Sequence, residues 1–204
     1  MKLYYSPGAC SLSPHIALLE AGLPHDLVKV DLRAKKLANG DDYLKINPRG
    51  QVPALGLDNG ELFTEGPVIV QMIADRAPDK NLAPANGSIE RYRLQEWLNF
   101  ITAELHKNFG PMFSPVLADE AKAFFKDRVM AKFKYIDSQL AGRDYLMGSQ
   151  FTVADGYLFT MLAWADRMKF DLSAMPNLLA YKARVAARPK VQEALTKEGL
   201  MKAA

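Results

Sequence analysis

The 204-residue sequence predicts two domains: an α/β domain over residues 1–78 and an all-helical domain over residues 88–204, joined by a linker over 79–87. Three observations carry this. Up to about residue 78, short apolar runs alternate with helical patterns and turn residues. Beyond about residue 88, apolar residues recur at helical spacing without strand signals. Between them, Pro78, Asn81, Pro84, Asn86 and Gly87 supply the turn-forming residues of a connecting segment.

In the first part, Lys2 to Tyr5 predicts a strand closed by Ser6-Pro7-Gly8. A helix follows from about Ser11 to Ala21, with Gly22 as its stop. Pro14 falls in its first turn, where a missing N–H costs little. Leu27 to Val30 predicts a second strand. Val52–Leu57 and Glu61–Phe63 flank Asp58-Asn59-Gly60, a hairpin signal. Val68 to Ala74 repeats at helical spacing. This order admits a parallel βαβ unit joined to an antiparallel hairpin, with helices on both faces. In the second part, Leu94, Trp97, Leu98, Ile101 and Leu105 form one apolar stripe, and Phe124 to Leu140 another. Thr152-Val153-Ala154-Asp155 fits a capping box. Helices of this kind predict a bundle.

Hydrophobic residues make up 49% and charged residues 24%, which argues against a disordered chain. A chain of this length buries a core without disulfides or a structural metal. Its single cysteine, Cys10, excludes an intrachain disulfide and a cysteine-based zinc site. A net charge of +3 without a basic run gives no support for nucleic-acid binding. No stretch approaches the length of a membrane span, and the N-terminus lacks the apolar core of a signal peptide. The expectation is a cytoplasmic protein that binds neither nucleic acid nor membrane.

Four motifs stand out: Tyr5-Ser6-Pro7-Gly8-Ala9-Cys10-Ser11 after the first strand, Asn47-Pro48-Arg49-Gly50-Gln51-Val52-Pro53 before the hairpin, Glu65-Gly66 at the next helix, and the late capping box. Together, and over the whole chain, they resemble the bacterial beta class of glutathione S-transferases. The Asn-Pro-x-Gly-x-Val-Pro stretch and the Cys10/His106 pair are the specific parts. The resemblance implies a thioredoxin-like N-terminal domain, a helical-bundle C-terminal domain, and a homodimer with glutathione as co-substrate and no metal.

The chemistry of Cys10 is legible without the family. It lies at a helix start, where unpaired N–H groups and the macrodipole favour a thiolate and a lowered pKa. Cys10-Ser11-Leu12-Ser13 is a CxxC pattern with serine in place of the second cysteine, so a mixed disulfide with glutathione is open to it and an internal one is not. For the rest of the glutathione site, the resemblance implies Tyr5, Lys35, Gln51, Val52, Pro53, Glu65 and Gly66. Lys35 would pair with the glycine carboxylate, and Val52 would offer backbone hydrogen bonds before a cis Pro53. Glu65 and the N-terminus of the next helix would receive the γ-glutamyl end. Gly66 departs from the serine common in the family.

Asn99, Ala103 and His106 fall at i, i+4 and i+7, on one face of an α-helix. By resemblance, His106 hydrogen-bonds a thiol as base or orienter. The resemblance also implies that Asn99 and Glu104 of the partner subunit lie near glutathione, with Lys107 a weaker candidate. His15 and His25 show no metal-site spacing. Phe109, Met112, Phe113 and Trp164 are expected to wall an apolar electrophile pocket, the alternative being bundle core. The expected activity is conjugation of the glutathione thiol to electrophilic, apolar or halogenated aromatic small molecules. Two alternatives stay open: a monothiol disulfide reductase using Cys10, and a non-catalytic binder of apolar ligands.

Overall fold

The computed structural model describes residues 1–201, so residues 202–204 of the expected helical domain lie outside the described residues. The chain forms two compact units. One comprises residues 1–83 with the chain from 187 onward, and the other residues 84–186.

The first unit is built on a five-stranded sheet of order β3-β2-β1-β4-β5. Its strands are β1 (Lys2–Tyr5), β2 (Asp26–Asp31), β3 (Lys36–Leu37), β4 (Ala54–Gly56) and β5 (Leu62–Thr64). β1 and β2 pair in parallel, with Leu3 opposite Leu27. β4 runs antiparallel to both β1 and β5. The hairpin predicted around Asp58-Asn59-Gly60 is therefore present, and Gly60 takes the positive φ of 88° that its turn requires. The short β3 gave no alternation signal, because two residues carry no periodicity.

Helix α1 (Leu12–Ala21) ends as predicted: Gly22 adopts the left-handed conformation, and its N–H returns to the last turn. α1 packs on α2 (Gly66–Asp75). Side chains alternate along β1, so Tyr4 faces away from the fully buried Leu3. Tyr4 joins a second cluster around Val30, Tyr43 and Val52. The expected helix on that face is a single 3₁₀ turn, Tyr43–Lys45, capped by Asp42. Asn47 to Gln51 is too short and too rich in Pro and Gly to continue it. The last helix, α8 (Pro189–Lys197), packs against α1 within this unit, although helical periodicity grouped it with residues 88–204. Arg188 and Glu20 form a two-pronged ion pair at 2.7 and 2.8 Å between them.

The second unit is all helical: α3 (Ile89–Phe100), α4 (Lys107–Met112), α5 (Asp119–Gln139), α6 (Val153–Arg167) and α7 (Pro176–Ala186). Ser88 caps α3 by accepting the Arg91 N–H at 3.1 Å. Leu94, Leu98, Ile101 and Leu105 of the predicted stripe are buried, and Trp97 is half-buried. α6 is buried nearly all round and forms the centre of the unit. Its capping box is present: the Asp155 carboxylate reaches back to the Thr152 N–H at 2.7 Å. Asp155 also accepts from Leu146 N–H, the Thr152 hydroxyl and the Tyr181 hydroxyl. Gly156 leaves no side chain for a hydrophobic staple, and Phe151 packs edge-on against Tyr145.

Candidate active site

In the first unit the segment 47–53 is the hub of the predicted residues. Asn47, 3% exposed, fixes it: its amide donates to Gln51 O at 2.8 Å, and its Oδ1 accepts the Arg49 N–H. Tyr43 Oη donates to the same Gln51 carbonyl. The Gln51 side chain is exposed, whereas Val52 and Pro53 are buried, and the peptide bond between them is cis. Lys35 Nζ donates to Gly50 O at 2.8 Å. Cys10 Sγ donates to Val52 O at 3.1 Å. Arg49 Nη1 lies 2.5 Å from Glu65 Oε1. Three predicted side chains, far apart in sequence, thus each touch this one segment.

Cys10 stands in the turn before α1. Ser11 holds that turn, since its Oγ accepts the Ser6 N–H at 3.2 Å. The expectation of a lowered thiol pKa is corrected. Burial pushes the Cys10 thiol up to about 12, although the N–H groups of Cys10 and Ser11 pull it down; the Glu65 charge adds to the rise. Desolvation of the sulfur outweighs the helix-start effect. The Val52 carbonyl can only accept, so it too favours the protonated thiol.

Tyr5 is 9% exposed, beside His15 at 6.4 Å between rings. Burial, then the Glu198 charge, raises its pKa, which leaves its hydroxyl protonated. Glu65 stands at the N-cap position of α2 with a positive φ of 69°, its side chain making no capping hydrogen bond. Its carbonyl accepts the N–H groups of Val68 and Ile69. Gly66 opens α2, and a Cβ there would meet only Pro53 Cγ, at 3.9 Å.

One residue escaped sequence reasoning altogether. Glu198, 5% exposed, follows α8 and accepts the Gly8 N–H at 2.9 Å through Oε2. Its Oε1 lies 2.9 Å from Nδ1 of the fully buried His15. One carboxylate thereby ties the Cys10 turn to α1. No local pattern announces a contact between residues 190 positions apart.

In the second unit, residues 101–106 form a π-helical segment between α3 and α4. Each π turn takes up an extra residue, so the i, i+4, i+7 relation of Asn99, Ala103 and His106 does not hold. Asn99 and Ala103 are exposed. His106 is half-buried and turns toward α6, with Nδ1 2.6 Å from the Tyr157 hydroxyl and its ring 5.0 Å from Trp164, edge to face. Tyr157, 3% exposed, is a second residue the sequence did not single out. Glu104 pairs with Lys132 at 2.9 Å, and Lys107 is exposed.

The aromatic residues separate into core and surface. Phe109 has no exposed surface and packs on Phe133, Trp164 and Phe170, so it backs Trp164 and does not wall a pocket. Phe113 is 44% exposed and meets Trp164 edge-on at 4.9 Å. Met112 is half-exposed. Trp164 is itself buried at 8% exposed, between His106 and Phe113, so of the four expected wall residues only Phe113 and Met112 offer apolar surface.

Residues 8–76 match the family described as glutathione S-transferase, N-terminal domain, and residues 103–198 the corresponding C-terminal domain. The chain is 48% identical over 200 residues to glutathione S-transferase GstA of Escherichia coli O157:H7, covering 98% of this chain and all of that one. Among solved structures, a bacterial beta class glutathione S-transferase of Sphingomonas chungbukensis is 51% identical with a TM-score of 0.95. A sphingomonad glutathione S-transferase complexed with glutathione is 50% identical, also with a TM-score of 0.95. Both alignments cover 98% of this chain and all of the other.

Proposed function

Because the chain belongs to the glutathione S-transferase family, in its bacterial beta class, we propose that it joins the glutathione thiol to apolar electrophiles, halogenated aromatic compounds among them. It is a transferase enzyme. The carrying observation is the convergence of Lys35, Cys10 and Arg49–Glu65 on the segment 47–53.

Each of these groups matches one part of glutathione. Lys35 offers a cation to the glycine carboxylate. Val52 offers a backbone edge to the tripeptide, as an added strand would use. Glu65 accepts from the γ-glutamyl ammonium, and the N-terminus of α2 at Gly66 takes its carboxylate. Tyr5, Gln51 and Pro53 border the peptide. Asn99, Ala103 and Glu104 approach it in a homodimer, Asn99 and Glu104 from the partner subunit. The protein works in the cytoplasm, without a metal.

In the reaction the glutathione S–H bond breaks and its proton passes to His106, which Tyr157 orients. The sulfur attacks the electrophilic carbon, a C–S bond forms, and a halide leaves with the bonding pair. The protonated Cys10 thiol donates toward the developing thiolate. Met112 and Phe113 hold the apolar electrophile, and Trp164 packs against Phe113. A disulfide-reductase role needs the Cys10 thiolate, which burial opposes.

Calorimetric titration with glutathione, followed by turnover of an activated chloronitrobenzene, tests this reading. Saturable binding and chloride release are expected. A protein that fails to bind glutathione overturns the proposal, and binding without turnover leaves only the ligand site.

A further inference from the structure

The Arg49–Glu65 pair has no evident role in holding the fold together. The two side chains are 61% and 60% exposed, and exposed ion pairs contribute little to stability. Yet both ends are fixed. Arg49 sits in the turn that buried Asn47 organises through the Arg49 N–H, with Gly50 N–H returning to Asn47 O at 2.8 Å. Glu65 holds a positive φ of 69° at the start of α2, a conformation that side-chain-bearing residues rarely adopt. Outliers of this kind cluster at ligand-binding positions. The pair joins the turn that leads into Val52 to the helix end assigned to the γ-glutamyl group.

Resting on that assignment, we propose that Arg49 is a positioning residue: its guanidinium holds the Glu65 carboxylate in place to receive the ammonium of the γ-glutamyl group. A carboxylate has two oxygens. Oε1 on Arg49 leaves Oε2 to accept from an ammonium, so that cation, anion and cation alternate. A guanidinium suits this task because its planar fork fixes the carboxylate orientation, which a lysine point charge does less well. The same contact places a positive charge against the carboxylate whose own charge raises the Cys10 thiol.

The test compares wild type, Arg49→Gln, Arg49→Lys, Glu65→Gln and the double variant Arg49→Gln/Glu65→Gln. Two probes are titrated calorimetrically: glutathione, and its analogue in which hydrogen replaces the γ-glutamyl amino group. Arg49→Gln is expected to weaken glutathione binding about tenfold, the size of one charge-assisted contact. It should leave the analogue and the melting temperature unaltered. Arg49→Lys should recover part of the loss, and the double variant should bind like Glu65→Gln alone. In turnover, KM for glutathione should rise with kcat held. Equal losses for glutathione and the analogue would overturn the proposal, as would a loss from Glu65→Gln that Arg49→Gln does not share. An Arg49→Gln effect that survives in the Glu65→Gln background would also overturn it. Wild-type protein that binds no glutathione would overturn the functional reading together with this one.

Discussion

The Cys10 thiol donates to the carbonyl of Val52 at 3.1 Å, across 42 residues of sequence. This bond links the turn before α1 to the residue expected to pair with glutathione. It also favours the neutral thiol, in agreement with the burial that raises its pKa to about 12.

Alkylation by iodoacetamide reads this directly, because only the thiolate reacts. Cys10 is expected to react more slowly at pH 7 than a free cysteine. The rate should keep rising with pH beyond the ordinary thiol value of 9.0, toward about 12. Rapid reaction at pH 7, with an inflection below it, would contradict the raised value.

Glu198→Ala should destabilise the first unit. It leaves the Gly8 N–H and His15 Nδ1 without the carboxylate they share in the interior. The expected loss is about 2–4 kcal/mol, read as a lower midpoint in urea denaturation. Because Gly8 lies in the Cys10 turn, KM for glutathione should rise in the fraction that remains folded. Glu198→Gln, which keeps an acceptor, should lose less on both counts.

Tyr157→Phe separates orientation from packing at His106. The ring stays, and the 2.6 Å hydrogen bond to Nδ1 is lost. A fall in kcat of about tenfold is expected if the histidine handles the proton, with KM for glutathione little altered. The pH profile of kcat should shift as well. Unchanged kcat and profile would remove His106 and Tyr157 from the chemistry.

Asp155→Ala should be among the most damaging single changes in the second unit. Four donors converge on this fully buried carboxyl: Leu146 N–H, Thr152 N–H, and the hydroxyls of Thr152 and Tyr181. Leaving them unpaired costs about 2–4 kcal/mol, measurable by thermal or urea unfolding. Burial outweighs those donors and raises the carboxyl from 3.8 to about 6. The native state then holds this proton more tightly than the unfolded chain. The resulting stability is fully present below about pH 4 and is lost as pH rises through 6. Asp155→Asn should flatten stability over that window.

Much of the molecule was legible in local pattern. The boundaries of β1 and α1, the Asp58-Asn59-Gly60 turn, the buried stripe of α3 and the capping box of α6 all follow from periodicity and from residues with restricted backbone preferences. These are short-range effects, so a window of a few residues contains their cause. The π-helical segment at 101–106 was not legible, because helical spacing alone assumes a constant 3.6 residues per turn. Its appearance moved His106 off the face of Asn99.

Residue order and local pattern are enough to put Cys10 before a helix, Val52-Pro53 before a hairpin, and Glu65 at the start of the next helix. The packing of distant segments sets the state of the thiol and the partners of the polar groups: Val52 for Cys10, Glu198 for His15 and Gly8, Tyr157 for His106, and Arg49 for Glu65. The physical reason is common to all of them. A pKa depends on how much water the packed chain removes and on which distant dipoles replace it, and neither is a property of neighbouring residues in sequence.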